Sequence, residues 1–272
     1  MSRLKLDMFD LAQMVDDCAI LSVAKRGSGK SILCRDLMYH LRKIPCGVVI
    51  APTDKLSGFY KKFFPDLYTH YELSQGLLDK ILYRQTIMID KLKKKKDQGQ
   101  VIDPRTLLLM DDCLAQGDKW KKMPGVKEIM MNGRHYYITY ILTMQYGVGI
   151  GPELRGNFDY VFLLKEDGVS AVRKLHEHYA GIFPDKKTFE IVFRKCTNNH
   201  QCMVIDNRKP ADSISEKVFY FKATFDRHFS FGSREFRDMH QEYYDPQYLK
   251  RITKEAVKPV RRGPDIDVLL RH

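Results

Sequence analysis

Ala24-Lys25-Arg26-Gly27-Ser28-Gly29-Lys30-Ser31 fits the pattern of a phosphate-binding loop, with alanine in place of the first glycine. Such a loop must wrap backbone N–H groups around a phosphate. Glycines permit this, because a Cβ would clash with the anion. The helix expected from about Lys30 points its N-terminus at the phosphates. Lys30 adds a positive charge for the β and γ oxygens, and Ser31 offers a hydroxyl to Mg²⁺. The cradle therefore runs from Ala24 through Lys25, Arg26, Gly27, Ser28, Gly29, Lys30 and Ser31 to Ile32. The context agrees. Cys18–Ala24 (CAILSVA) is a short apolar run that reads as a buried strand, and Ser31–Arg42 puts Ile32, Leu33, Leu37, Met38 and Leu41 on one helical face.

A phosphate loop of this kind needs a carboxylate on a neighbouring strand to hold Mg²⁺ through water. Leu107-Leu108-Leu109-Met110-Asp111-Asp112 is an apolar strand ending in two acids. Asp111 fits the metal position, and Asp112 can polarise an attacking water; the competing reading is an Asp-Asp helix cap. Glu128 is the next candidate for the water-activating role. Ile138–Met144 reads as a strand that ends on Gln145, whose amide can sit between a γ-phosphate and the acids. Arg134 precedes that strand, and Arg155 follows it in Gly151-Pro152-Glu153-Leu154-Arg155-Gly156-Asn157. Either can act as an arginine finger toward a neighbouring subunit's γ-phosphate, or be a solvated or ion-paired surface residue.

The remaining elements place these motifs in one α/β core. Gly47–Ala51 is expected to be a strand, Leu73–Lys96 a long helix of roughly 36 Å, Val126–Asn132 a helix and Tyr160–Leu164 a strand. Strands alternating with helices predict a mostly parallel sheet with helices on both faces. After about Gly168 the pattern changes. Phe189–Lys195 and Gln201–Asp206 both read as strands, joined at Asn198–Asn199 into an antiparallel C-terminal hairpin, with Val218–Lys222 as one more strand. The organisation expected is an N-terminal segment 1–17, a P-loop core 18–223 and a C-terminal extension 224–272. The extension ends in a basic tail, Lys250–His272.

Composition narrows the function class. The 272 residues are 44% hydrophobic and 29% charged, which excludes a disordered, collagen-like or coiled-coil chain. A net charge of +12 favours a polyanionic partner. The six cysteines show no CxxC pair and no histidine at zinc-finger spacing, so reduced core thiols are expected, although Cys196 and Cys202 flank a turn and can approach each other. Acids in the first residues argue against a signal peptide, and no apolar run reaches the ~20 residues that span a bilayer. A soluble intracellular protein is expected.

Taken together, AKRGSGKS, LLLMDDCL, MNGRHYYITYILTMQ and GPELRGNFDYVF make residues 19–223 resemble the genome-packaging ATPases of nucleocytoplasmic large double-stranded DNA viruses. These form the poxvirus-type branch of the FtsK–HerA superfamily. VIDN at Val204–Asn207 and the following VFYFKA also look like that family's last strands. The resemblance implies a RecA-like (ASCE) P-loop fold and ATP hydrolysis with Mg²⁺. It also implies a homo-oligomeric ring of five or six copies that pumps double-stranded DNA. It implies action in the host cytoplasm at assembly sites or in the virion, beside capsid or inner-membrane vertex proteins, and it favours Arg134 over Arg155 as the finger. Asp112 departs from the family, where many relatives carry Glu.

A DNA motor holds its track through phosphate contacts from lysine and arginine. Lys91, Lys93, Lys94, Lys95 and Lys96 form one candidate cluster, and Lys119, Lys121 and Lys122 another, around Trp120. Trp120 can stack at DNA or simply anchor its loop. Competing functions are an FtsK/HerA-like DNA pump or helicase without a packaging role, and, in a different class, a P-loop kinase or nucleotide-dependent binding module.

Overall fold

Short apolar runs bounded by turns become strands, and runs with three-to-four-residue apolar spacing become the helices that cover them. The computed structural model describes residues 4–113, 120, 122–147, 149–208 and 210–248. Its strands are β1 Ala19–Val23, β2 Cys46–Ile50, β3 Thr69–His70, β4 Thr106–Asp111, β5 Ile138–Met144, β6 Tyr160–Leu163, β7 Gln201–Asp206 and β8 Val218–Lys222. The helices are α1 Lys30–His40, α2 Asp54–Ser57, α3 Gln75–Asp97, α4 Pro124–Asn132, α5 Pro152–Arg155, α6 Val169–Tyr179, α7 Lys186–Cys196, α8 Ile214–Lys217 and α9 Arg234–Tyr243.

The strands form one sheet in the order β3-β2-β4-β5-β1-β6-β7-β8. All pairs from β3 to β6 are parallel; β6–β7 and β7–β8 are antiparallel. Every residue of β4 and β5 is buried, as expected of parallel strands covered on both faces. Alternate side chains feed two cores. Leu108 and Met110 pack with α3, α4, α6 and α7, while Leu107 and Leu109 pack with α1 and with Phe231 and Phe236. The α/β class and the parallel core agree with the expectation from the sequence.

The C-terminal hairpin exists but uses different strands. Residues 189–195, read as a strand, lie in α7. Phe189, Phe193 and Cys196 face the core while Ile191 is more than half exposed, which is helical spacing. The Asp185 side chain caps the helix by accepting from Thr188 N at 2.9 Å. Asn199 does take a positive φ, 52°, but the turn leads from a helix into β7. The hairpin partner of β7 is β8.

Both ends of the described chain pack on this core. Phe9 N donates to Tyr220 O, and Tyr220 N donates to Asp7 O, along the edge of β8. Past β8, Phe236 of α9 stacks on Tyr68, with ring centroids 4.2 Å apart. The expected basic tail lies outside the described residues. The six cysteines are free thiols, Cys196 and Cys202 included. Among the described residues no helix is long and apolar enough to cross a membrane.

Candidate nucleotide site

The glycine loop closes between the end of β1 and the start of α1. Ala24 is buried and its N–H pairs with Met144 O, so it still lies in the sheet and has no need of glycine's freedom. Lys25 to Ser28 make a tight turn, with Ser28 N and Oγ both donating to Lys25 O. Gly27 and Gly29 take φ of 79° and 99°, and a Cβ built on either would meet nothing within 4 Å. The loop therefore presents an open concave backbone in front of the N-terminus of an 11-residue helix, which suits a phosphate group. Ser31, in the first turn of α1, is exposed.

β4 delivers the two acids to the same place. Lys30 Nζ lies 3.1 Å from Asp111 Oδ1 and 3.7 Å from Asp112 Oδ2. Both carboxylates are buried, at 5% and 8% exposure, so their polar partners decide their orientation. Asp111 accepts from the Thr143 hydroxyl on one oxygen and from Tyr60 OH, at 2.9 Å, on the other. Asp112 accepts from Gln145 Nε2, and its backbone N–H donates to Thr143 Oγ1 at 3.1 Å. The φ of Asp112 is 54°, a conformation costly for a residue with a Cβ and of the kind that clusters at functional sites. The arrangement brings together Lys30, Asp111, Asp112 and Gln145, with Ser31 one residue away on α1. The Ser31 hydroxyl at the start of α1 and the buried carboxylate that the preceding Lys30 reaches offer oxygen donors alone, which suits Mg²⁺.

Tyr60 lies in no motif, and Thr143 lies two residues before Gln145 in a run that marks no role for its hydroxyl. The Tyr60 ring is buried, and burial pushes its phenol well above the usual range, so it remains a donor. Asp54 fixes the segment in turn by accepting from Phe59 N and Tyr60 N. On the reading of Asp111 as the carboxylate that holds Mg²⁺ for ATP hydrolysis, Tyr60→Phe is expected to raise the Mg²⁺ concentration for half-maximal hydrolysis about ten-fold. An Mg²⁺ titration of hydrolysis checks this. An unchanged midpoint would leave Tyr60 with packing alone.

Other candidates lie elsewhere. Arg134 sits before β5, at the opposite end of that strand from Gln145 and so roughly 20 Å away. It pairs with Asp159 at 2.8 Å. Asp159 also accepts from Ala19 N, at the start of β1. Arg155 ends the short α5 and donates to Ile150 O at 3.2 Å. Glu128 accepts from Asn132 Nδ2 and Tyr136 OH, near the start of β5, so it has no access to the acids on β4. Lys91 to Lys96 lie on the last turns of α3, mostly solvent-facing, with Lys95 donating to Gln100 Oε1. Lys122 is exposed near the other end of β4, while Lys119 and Lys121 lie outside the described residues. Trp120 is 1% exposed and packs in the core that includes Leu78 and Val126, so it presents no face for stacking on DNA.

No protein-family model matches this chain. Protein L437 of Acanthamoeba polyphaga mimivirus is 58% identical over 265 residues, which cover 97% of this chain and 92% of that protein. Protein 088R of Invertebrate iridescent virus 3 is 31% identical, covering 80% and 82%. The chain belongs to this family of large-DNA-virus proteins. The family's fold has solved counterparts. The genome packaging NTPase B204 from Sulfolobus turreted icosahedral virus 2, in complex with AMPPCP, superposes with a TM-score of 0.52 at 17% identity, covering 76% of this chain and 98% of that one. EssC (ATPases 2 and 3) from Geobacillus thermodenitrificans gives 0.50 at 14% identity, covering 89% of this chain and 46% of that one. The family thus has the P-loop NTPase fold, shared with a viral packaging enzyme, as the resemblance implied.

Proposed function

We propose that the chain hydrolyses ATP and uses the cycle to move double-stranded DNA into a viral capsid, acting as a ring of identical copies. The observation that carries this reading is Lys30 held between Asp111 and Asp112 at the mouth of an open glycine loop, with Gln145 on Asp112.

The chemistry follows from that geometry. The loop N–H groups and Lys30 bind the phosphates, and Lys30 exchanges its carboxylate partners for phosphate oxygens. Mg²⁺, held by Ser31 and Asp111, would supply charge neutralisation on the β and γ oxygens. Tyr60 and Thr143 hold Asp111 in orientation. Asp112 orients the attacking water and takes its proton. Gln145, joined to Asp112 and to the end of β5, couples the state of the γ-phosphate to the sheet. Arg134 is too far from its own loop to act there. It is assigned to the nucleotide of a neighbouring copy, with Arg155 the alternative. Capsid or inner-membrane vertex proteins are the expected docking partners at the assembly site.

The surplus of 12 positive charges supports a polyanionic track. Lys91, Lys93, Lys94 and Lys96 present a basic cluster at the C-terminal end of a 23-residue helix. Replacing these four by Gln is expected to weaken binding alike for all duplex sequences. It should flatten the slope of log K against log[salt] by about 0.9 for each phosphate no longer neutralised. Fluorescence anisotropy over a salt series reads both. An unchanged slope would mean ordinary solvated lysines.

A further inference from the structure

Beside the glycine loop, on the side away from the acids, lies a cavity of about 270 Å³. Gly29, Ile32, Leu164, Gln201, Lys222 and Phe225 border it. Its position follows from strand order. β5 and β4 flank β1 on one side and bring Asp111, Asp112 and Gln145, whereas β6, β7 and β8 lie on the other and bring Leu164, Gln201 and Lys222. Lys30 Nζ points to the acids, and in a loop of this type that lysine reaches the β and γ end of a triphosphate. The α-phosphate, and whatever is attached to it, must then leave on the other side, past Ile32.

Phe225 stands at the mouth of this cavity with 71% of its surface exposed. Its place is not left to chance. Asp36 of α1, only 2% exposed, accepts from Thr224 N at 2.8 Å and from Arg227 Nε at 2.8 Å. The residues on either side of Phe225 are thereby pinned to the helix that begins at the loop. The Arg35 guanidinium lies 5.8 Å from the Phe225 ring centroid, and its Nε is buried without a hydrogen-bond partner among the described residues. A buried carboxylate and a cation thus hold an aromatic ring beside a cavity that continues from the phosphate loop.

We infer that this cavity takes the aromatic base of the nucleotide, stacked on Phe225. The inference rests on the glycine loop holding that nucleotide's phosphates. A larger cavity of about 640 Å³ shares Leu164 with this one and extends past Lys25, Arg26 and Tyr146 to the start of α6; Gln145, which borders it, is bonded to Asp112, so it is assigned to the γ-phosphate end and Tyr146 serves as the control.

Isothermal titration of the full chain with Mg-ATP and with Mg-tripolyphosphate, which has no base, tests this. Phe225→Ala is expected to weaken ATP binding about ten-fold, the usual loss for one stacked base. Tripolyphosphate binding should not change, Phe225→Tyr should bind ATP like the wild type, and Tyr146→Ala should not alter ATP affinity. Unchanged ATP affinity in Phe225→Ala would overturn the inference. Equal weakening of both probes would also overturn it, since Phe225 would then support the loop and not the base. Loss of ATP affinity in Tyr146→Ala alone would move the base to the other cavity. If the wild type binds neither probe, the glycine-loop reading itself fails, a result distinct from the others.

Discussion

Lys30→Ala is expected to weaken ATP binding and to cut hydrolysis by a factor on the order of 10³, the scale for losing a group that stabilises transition-state charge. Two effects act together. The phosphates lose the ammonium that reaches them. Asp111 and Asp112, both buried, lose the cation 3.1 and 3.7 Å from their oxygens and face the incoming polyanion uncompensated. Lys30 is 15% exposed, so the ion pairs are partly buried and their loss also costs stability. Denaturant unfolding should therefore accompany the rate measurement. A variant that is folded and hydrolyses ATP at the wild-type rate would remove the loop from the mechanism.

Asp112→Asn is expected to bind Mg-ATP as the wild type does and to lose 10²- to 10⁴-fold in turnover, roughly the contribution of a general base. The substitution is unusually clean at this position. Asn tolerates the left-handed backbone that Asp112 adopts at φ 54°. Its side-chain oxygen can still accept from Gln145, so what is lost is the basic oxygen and the charge that faces Lys30 at 3.7 Å, while Asp111 keeps the shorter ion pair. Single-turnover hydrolysis with bound nucleotide measured separately reads both halves. Normal turnover would assign water activation elsewhere, and Glu128, held by Asn132 and Tyr136 near the start of β5, would not inherit it.

The site was legible where chemistry forces a local pattern. The glycines at positive φ with a lysine at a helix start, and the apolar strand ending in two acids, are each contiguous patterns, and the fold brings Lys30, Asp111, Asp112 and Gln145 into contact. Tyr60 was not legible. It meets Asp111 across 51 residues, through a segment of short turns with no periodicity. Thr143 reads as one more residue of a buried strand, and only the pairing of β5 with β4 reveals that its hydroxyl serves two neighbouring aspartates. The central strands were readable because parallel strands covered on both faces must be continuously apolar. The failure at residues 189–195 has a definite cause. Phe189, Ile191 and Phe193 alternate like a strand, while Phe189, Phe193 and Cys196 recur like a helix. Over seven residues the two periods cannot be separated, and the decisive signal was Asp185, whose side chain caps Thr188 N.

In the proposed motor one site couples ATP hydrolysis to double-stranded DNA. The most direct measurement is the steady-state ATP hydrolysis rate of the full chain, at low ionic strength, with and without linear duplex DNA. The rate is expected to rise several-fold to saturation with duplex of any sequence and to fall back as salt screens the phosphate contacts. A folded chain that hydrolyses ATP at the same rate with and without duplex, at every salt concentration, would contradict that coupling.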